Sequence, residues 1–235
     1  MKQITILFLF ICIAISGFAN SGNSKEGVWK PLFGTDLSQA KYDKNCWKME
    51  NGVLTASEDK VIWAVGDYEN FSLDLEFKTA VGTNSGIIVY CTDPENWIPN
   101  SVEIQIADDY CEKWGTASKD WQCGAIFGHL AANQQKVVKK PGEWNKMGVT
   151  CKGKIIEVVL NGKKITRMDM SKWTSGKLNP DGSEIPKWLS TPFNQLKTKG
   201  YIGLQGKHAG APIYFRNVKI KELKDDEQKK DSQKK

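Results

Sequence analysis

The chain has 235 residues, enough for one ordinary to large domain whose core needs no disulfide or metal to hold it. Its net charge of +6 is mild, and its lysines form scattered runs rather than one basic stripe interleaved with aromatics, which argues against a nucleic-acid partner. Nine tryptophans suit a β-rich core, and they also supply flat faces on which sugar rings stack.

The first segment reads as an address. Met1-Lys2 is a basic start, Ile4 to Ile15 is an apolar run, and Gly17-Phe18-Ala19 is a small-x-small cleavage pattern. Residues 1–19 are therefore expected to be a signal peptide, followed by a flexible segment over 20–27. The run is short for a bilayer span and nothing later is longer, so no transmembrane segment is expected. Cys12 lacks the small preceding residue that a lipidation site needs. A periplasmic or secreted protein is the expectation. Five cysteines then remain, Cys46, Cys91, Cys111, Cys123 and Cys151, an odd number. Cys111 and Cys123 bracket a short polar segment and form the best-placed pair for a disulfide. Their spacing fits no zinc pattern.

Strands follow along one sandwich domain expected over 28–223. In Phe71-Ser-Leu-Asp-Leu-Glu-Phe77, strict alternation puts Phe71, Leu73, Leu75 and Phe77 on one face. Further strands are predicted over 86–91, 102–107, 124–127, 145–151, 155–160, 201–205 and 213–223. Asn161-Gly162, between Leu160 and Lys163, is a two-residue hairpin signal. No amphipathic helix stands out. Short strands and frequent turns without helices predict an all-β jelly-roll or sandwich of two antiparallel sheets. The stretch 169–199, with Trp173, Pro180, Gly182, Pro186, Trp188 and Pro192, is a long irregular excursion of the kind that carries function. After Leu223 the tail 224–235 mixes both charges without an apolar residue and is expected to be disordered.

The informative strand is Ser101-Val-Glu-Ile-Gln-Ile-Ala-Asp108. Val102, Ile104 and Ile106 should face the space between the sheets. Glu103 and Gln105 then project together from the other face, about 7 Å apart. Glu and Gln are poor strand formers, so their placement here asks for a reason. Tyr90, Trp97, Asn100 and Tyr110 flank the strand in sequence. A carboxylate beside an amide, with aromatic rings around them, suits recognition of sugar hydroxyls and C–H faces.

An ordered series of motifs then carries a resemblance. Asn84-Ser-Gly-Ile-Ile, Val102-Glu-Ile-Gln-Ile-Ala-Asp, Gly124-Ala-Ile-Phe-Gly, Lys140-Pro-Gly-Glu-Trp-Asn, Leu160-Asn-Gly, Asn179-Pro-Asp-Gly and Gly200-Tyr-Ile-Gly-Leu-Gln lead to His208 and Tyr214-Phe-Arg-Asn-Val-Lys-Ile. Together with Trp29-Lys-Pro-Leu-Phe-Gly and Trp47-Lys-Met-Glu-Asn-Gly, the series resembles the 3-keto-disaccharide hydrolase family from about Val28 to Leu223. The resemblance implies a concanavalin A-like lectin/glucanase sandwich. It also implies cleavage of glycosides whose C3 hydroxyl has been oxidised to a ketone.

Such a substrate needs a base for its acidified C2 hydrogen, donors for the enolate oxygen and an acid for the leaving group. Glu103 and His208 are the expected catalytic pair, either one as base or acid, with Gln105, Arg216, Tyr90, Trp97, Asp108 and His129 as substrate-binding candidates. Glu103-Ile-Gln-Ile-Ala-Asp108 also resembles the Glu-x-Asp-x-x-Glu strand of retaining glucanases. Its middle residue is Gln and its last is the shorter Asp, which disfavours an ordinary double displacement. No cofactor is required by this chemistry; the Asp108-Asp109 and Asp181 turns offer oxygen atoms that could serve calcium, yet turn geometry explains them more cheaply. The expected partner is a carbohydrate. A non-catalytic carbohydrate-binding module or lectin on the same sandwich is the alternative reading.

Overall fold

The computed structural model describes residues 27–224. The predicted signal peptide and all but the first residue of the charged tail lie outside them. The described residues form thirteen strands in two antiparallel sheets. In chain order they are β1 (Lys30–Pro31), β2 (Ala40–Lys41), β3 (Trp47–Glu50), β4 (Val53–Ala56), β5 (Ile62–Ala64), β6 (Phe71–Thr79) and β7 (Asn84–Cys91). After them come β8 (Val102–Ala107), β9 (Trp144–Lys152), β10 (Ile155–Leu160), β11 (Lys163–Asp169), β12 (Tyr201–Leu204) and β13 (Ile213–Glu222). The larger sheet runs β11-β10-β9-β6-β13-β4-β3, with β1 also pairing β13. The smaller runs β2-β5-β12-β7-β8.

Alternation in β6 works as the residues dictate. Phe71, Leu73, Leu75 and Phe77 are buried between the sheets while Ser72, Asp74 and Glu76 face outward. From the smaller sheet, Ile87, Val102, Ile104 and Ile106 meet them in one hydrophobic core. Each such side chain contributes about 1.5–3 kcal/mol by leaving water. The Asn161-Gly162 pair does turn a hairpin: Leu160 opposes Lys163, and both turn residues have positive φ, 49° and 81°. Asn51-Gly52 closes the β3–β4 hairpin in the same way, with φ of 51° and 75°.

Two expectations need correction. Residues 124–127 form no ladder strand, yet they hydrogen-bond along the outer edge of β8: Gln105 N–H donates to Ala125 O, Gly124 N–H to Gln105 O and Phe127 N–H to Glu103 O. The segment thereby covers an edge that would otherwise be open to another chain. The Cys111–Cys123 pair is not bonded, and all five described cysteines are free. Cys111 instead caps the single-turn helix α1 (Glu112–Gly115), its Sγ accepting from the Trp114 N–H at 3.5 Å. After Asp169, where β11 ends, the stretch to 199 carries no strand and includes three short 3-10 turns, pinned from within by Trp173 Nε1–H donating to Asn179 Oδ1 at 2.9 Å.

Candidate active site

The register of the smaller sheet decides which side chains share its outer face. Lys41 opposes Trp63, Trp63 opposes Gly203, Gly203 opposes Ile88, and Ile88 opposes Glu103. Directly opposite residues project on the same side. One row therefore crosses five strands, from β2 to β8. In the adjacent row Gly86 opposes Gln105, and the Gln205 N–H bonds to Gly86 O at 2.9 Å. Glycines at the floor make room for the functional groups. A Cβ added at Gly86 would stand 2.1 Å from Glu103 Oε1, so the carboxyl lies over β7 in space that only glycine leaves. A Cβ at Gly203 would meet the Trp63 ring at 2.7 Å.

The face is hollowed into a groove of about 650 Å³, lined by Trp63, Trp97, Tyr201, Gln205, Asp59 and His208 among others. Trp63 and Tyr201 meet edge to face, with ring centroids 6.5 Å apart. Lys41 holds its ammonium 5.7 Å from the Tyr201 ring centre. The mixture of flat rings and polar groups suits a sugar better than an apolar ligand.

His208 lines this groove, and Glu103 lies beside it, close enough that the two groups feel each other's charge. His208 follows β12 and bridges back to Asn84 of β7, and its Nδ1 meets Asp59 Oδ2 at 2.5 Å. The Asp59 contact raises the affinity of the imidazole for its proton, and the nearby Glu103 charge adds to this. It also commits Nδ1, leaving Nε2 as the nitrogen open to a substrate. Burial pushes the Glu103 carboxyl up to about 8; the positive charge of His208 opposes the shift and Asp59 adds to it. At neutral pH Glu103 is thus largely a carboxylic acid. Beside it, the Gln105 Nε2–H donates to Asn84 Oδ1 at 2.9 Å. The bond uses the Asn84 oxygen and leaves that amide's N–H groups as donors.

Trp97 lines the groove. Four other candidates lie elsewhere, each for a visible reason. Tyr90 should share the face of Glu103 by plain alternation, but β7 carries a bulge: Tyr201 opposes Cys91 whereas Gly203 opposes Ile88. Tyr90 takes the left-handed conformation, φ 56°, and turns into the core, where its hydroxyl donates to Gly153 O at 2.9 Å. Arg216 belongs to the other sheet. It grips Glu76 across the strand pair at 2.6 and 2.8 Å and stacks on Trp144 at 4.0 Å. His129 is buried against Phe193, rings stacked at 3.8 Å, and Nδ1 pairs with Phe127 O at 2.8 Å. Burial drops its pKa to about 4, which keeps the ring neutral.

Asp108 ends β8 and accepts from the N–H groups of Gly82 and Tyr110 at 2.9 and 3.1 Å. The neighbouring Asp109 accepts from Cys123 N–H through Oδ1, while its Oδ2 is buried without a hydrogen-bond partner, and Asp181 accepts from the Ser183 N–H and hydroxyl. Asp59, Trp63, Asn84, Tyr201 and Gln205 were not among the sequence candidates. Asn84, Tyr201 and Gln205 lay inside motifs that carried the resemblance and signalled themselves there. Asp59 sits in a short charged loop and gave no signal.

A β-sandwich whose outer face gathers a proton-holding carboxyl, an Asp-backed histidine and stacking rings is a carbohydrate-active domain. The chain belongs to the 3-keto-α-glucoside-1,2-lyase-like domain family, whose model matches residues 28–221. A candidate glycosyl hydrolase from Parabacteroides distasonis ATCC 8503, known from its crystal structure, is 63% identical with a TM-score of 0.82; the match covers 83% of this chain and all of that one. A second candidate glycosyl hydrolase from the same organism, at 24% identity and TM-score 0.69 over 84% of this chain and 94% of its own, shares the fold. So does a Bacillus subtilis protein of unknown function with a galectin-like fold, at 12% identity and TM-score 0.52, over 86% of this chain and 99% of its own. No curated protein matches the chain. The predicted lectin-like sandwich is the fold observed.

Proposed function

We propose that the protein cleaves glycosides carrying a ketone at C3 by eliminating the C1 substituent and then adding water. The observation that carries this reading is the juxtaposition of an Asp59-backed His208, which lines a sugar-sized groove, with a Glu103 carboxyl at its margin that feels the His208 charge and holds its proton at neutral pH. The ketone acidifies the C2 hydrogen. His208 Nε2, neutral and oriented through Asp59, takes that proton, and the C–H electrons become the C2=C3 double bond of an enolate. The Gln105 contact leaves the amide N–H groups of Asn84 as donors for the enolate oxygen. As the enolate collapses, its electrons form C1=C2 and the C1–O bond breaks. Glu103 delivers its proton to the departing oxygen. Water adding at C1, with a proton returned to C2, completes the hydrolysis.

Family membership and the 63% identical candidate glycosyl hydrolase support a carbohydrate substrate; the acid–base division is our reading of the geometry. The pattern in residues 1–19 supports action outside the cytoplasm, where sugar would be met before uptake. Turnover of 3-keto-trehalose by the wild-type protein, set against Glu103→Gln and His208→Ala, tests the assignment. Each variant should lose about 10²–10⁴-fold in kcat. Rates within about twofold of wild type in both would remove these residues from the chemistry. A wild-type protein that binds the sugar without cleaving it would be a lectin.

A further inference from the structure

Beyond the groove, the backbone pairing of the smaller sheet does not stop at β8. The backbone of 124–127 continues the sheet past β8, with Ile126 opposite Ile104. Ile126 is in the core, and the half-buried Phe127 opens the turn that follows it, its N–H donating to Glu103 O at 3.0 Å, which roots Phe127 beside Glu103. Phe127 contacts Trp121 with ring centroids 5.0 Å apart, and Trp121 contacts Trp188 edge to face at 6.3 Å. Trp188 is 54% exposed, unusual for so large an apolar side chain. Trp121 and Trp188 line a second hollow of about 690 Å³, together with Asp120, Glu184, Pro186 and Lys187. It is distinct from the groove that holds His208 and Trp63. Two indole faces next to two carboxylates offer what a pyranose ring needs: a flat apolar surface for its C–H face and acceptors for adjacent hydroxyls.

The order across the sheet assigns the two hollows. His208, which acts on C2 of the ketone-bearing ring, lies on the β12 side of Glu103. Phe127, Trp121 and Trp188 lie on the opposite side. An acid that protonates the glycosidic oxygen must sit between the two units that oxygen joins. We infer that the Phe127–Trp121–Trp188 shelf is the binding subsite for the departing sugar, a hexopyranose held by stacking on Trp188 and by hydroxyl contacts to Asp120 and Glu184. The inference rests on the acid–base reading of the groove and extends it: the protein selects disaccharides over glycosides with small leaving groups.

The test compares 3-keto-trehalose with methyl 3-keto-α-glucoside on the wild type, Trp188→Ala and, as a control, Trp29→Ala, whose exposed indole lies near the N-terminal end of the sandwich domain. The ratio of kcat/KM for disaccharide over methyl glycoside should fall about tenfold in Trp188→Ala and stay at the wild-type value in Trp29→Ala. A ratio unchanged in Trp188→Ala overturns the subsite. Should the wild type turn over neither compound, the catalytic reading fails by itself. The shelf is then judged by calorimetric titration with unoxidised trehalose: weaker binding in Trp188→Ala than in wild type upholds it, and equal or absent binding in both overturns it.

Discussion

At the level of single residues, the chemistry depends on two groups being pushed in opposite directions of use. Glu103 is a carboxylic acid below about 8 because burial penalises its charge. His208 is a base only above its own pKa, which the Asp59 contact raises from the ordinary imidazole value. The sign of each limb follows. As pH rises through the His208 value, the proton acceptor appears and kcat/KM climbs. As pH rises through about 8, Glu103 ionises, the donor is lost and kcat/KM falls. The expected pH profile is a bell with its maximum between the two. In Glu103→Gln the residual rate should keep its acid limb and lose the alkaline one. An alkaline limb that persists near pH 8 in that variant would assign the donor to another group.

Glu103 and Gln105 were legible as a pair because period-2 alternation needs only the neighbours along the chain. Tyr90 was misread by the same rule, since one extra residue in β7 reverses the alternation and no local residue type announces it. Arg216 failed for a different reason. Its strand was foreseen, but the sheet that strand joins depends on pairing partners far away in sequence.

For the strands, the site is a consequence of how β7, β8 and β12 stack side by side. Gly86 and Gly203 form a low floor, and the side chains on either side close over it. The Gly86→Ala substitution isolates this effect. Its methyl would compete for the space of Glu103 Oε1, Cγ and Cδ, at 2.1, 2.7 and 2.8 Å, so the carboxyl must swing aside while the strand, extended at this position, keeps its pairing. The expected outcome is a drop in kcat of about 10–100-fold with a melting temperature close to wild type. Unaltered kcat would mean that the Glu103 position seen over β7 is not the working one. Strands with long alternating runs, β6, β9, β10 and β13, were readable from sequence. The two-residue strands β1 and β2 were not, because so short a segment carries no period and is fixed only by its partner. Residues 124–127 stand between these cases: their apolar run was visible, but their role as a cover for the edge of β8 belongs to tertiary structure.

Over the whole molecule, the division of labour between the sheets explains where function lies. The larger sheet turns an outer face of ion pairs to the solvent, among them Arg216–Glu76, Lys146–Asp74 and Lys164–Glu157. Such exposed pairs add little stability. The smaller sheet places apolar, amide and acidic groups on its outer face, an arrangement that water alone does not favour and that a bound sugar would complete. The all-β sandwich was legible because alternation and turn residues agree along nearly the whole chain. The excursion over 169–199 was recognised with Trp188 inside it, but not the contact of Trp188 with Trp121, since what that loop packs against is set only when the chain is folded.

The most direct measurement follows the hydrogen at C2. In a single turnover of 3-keto-trehalose in D₂O, removal of that hydrogen and later hydration should leave one deuterium at C2 of the 3-ketoglucose released. Quenching before spontaneous exchange makes the count meaningful, and mass spectrometry reads it. Protium retained at C2 in the product, together with an unchanged single-turnover rate for substrate deuterated at C2, would show that the C1–O bond breaks by displacement, and elimination by His208 and Glu103 would be excluded.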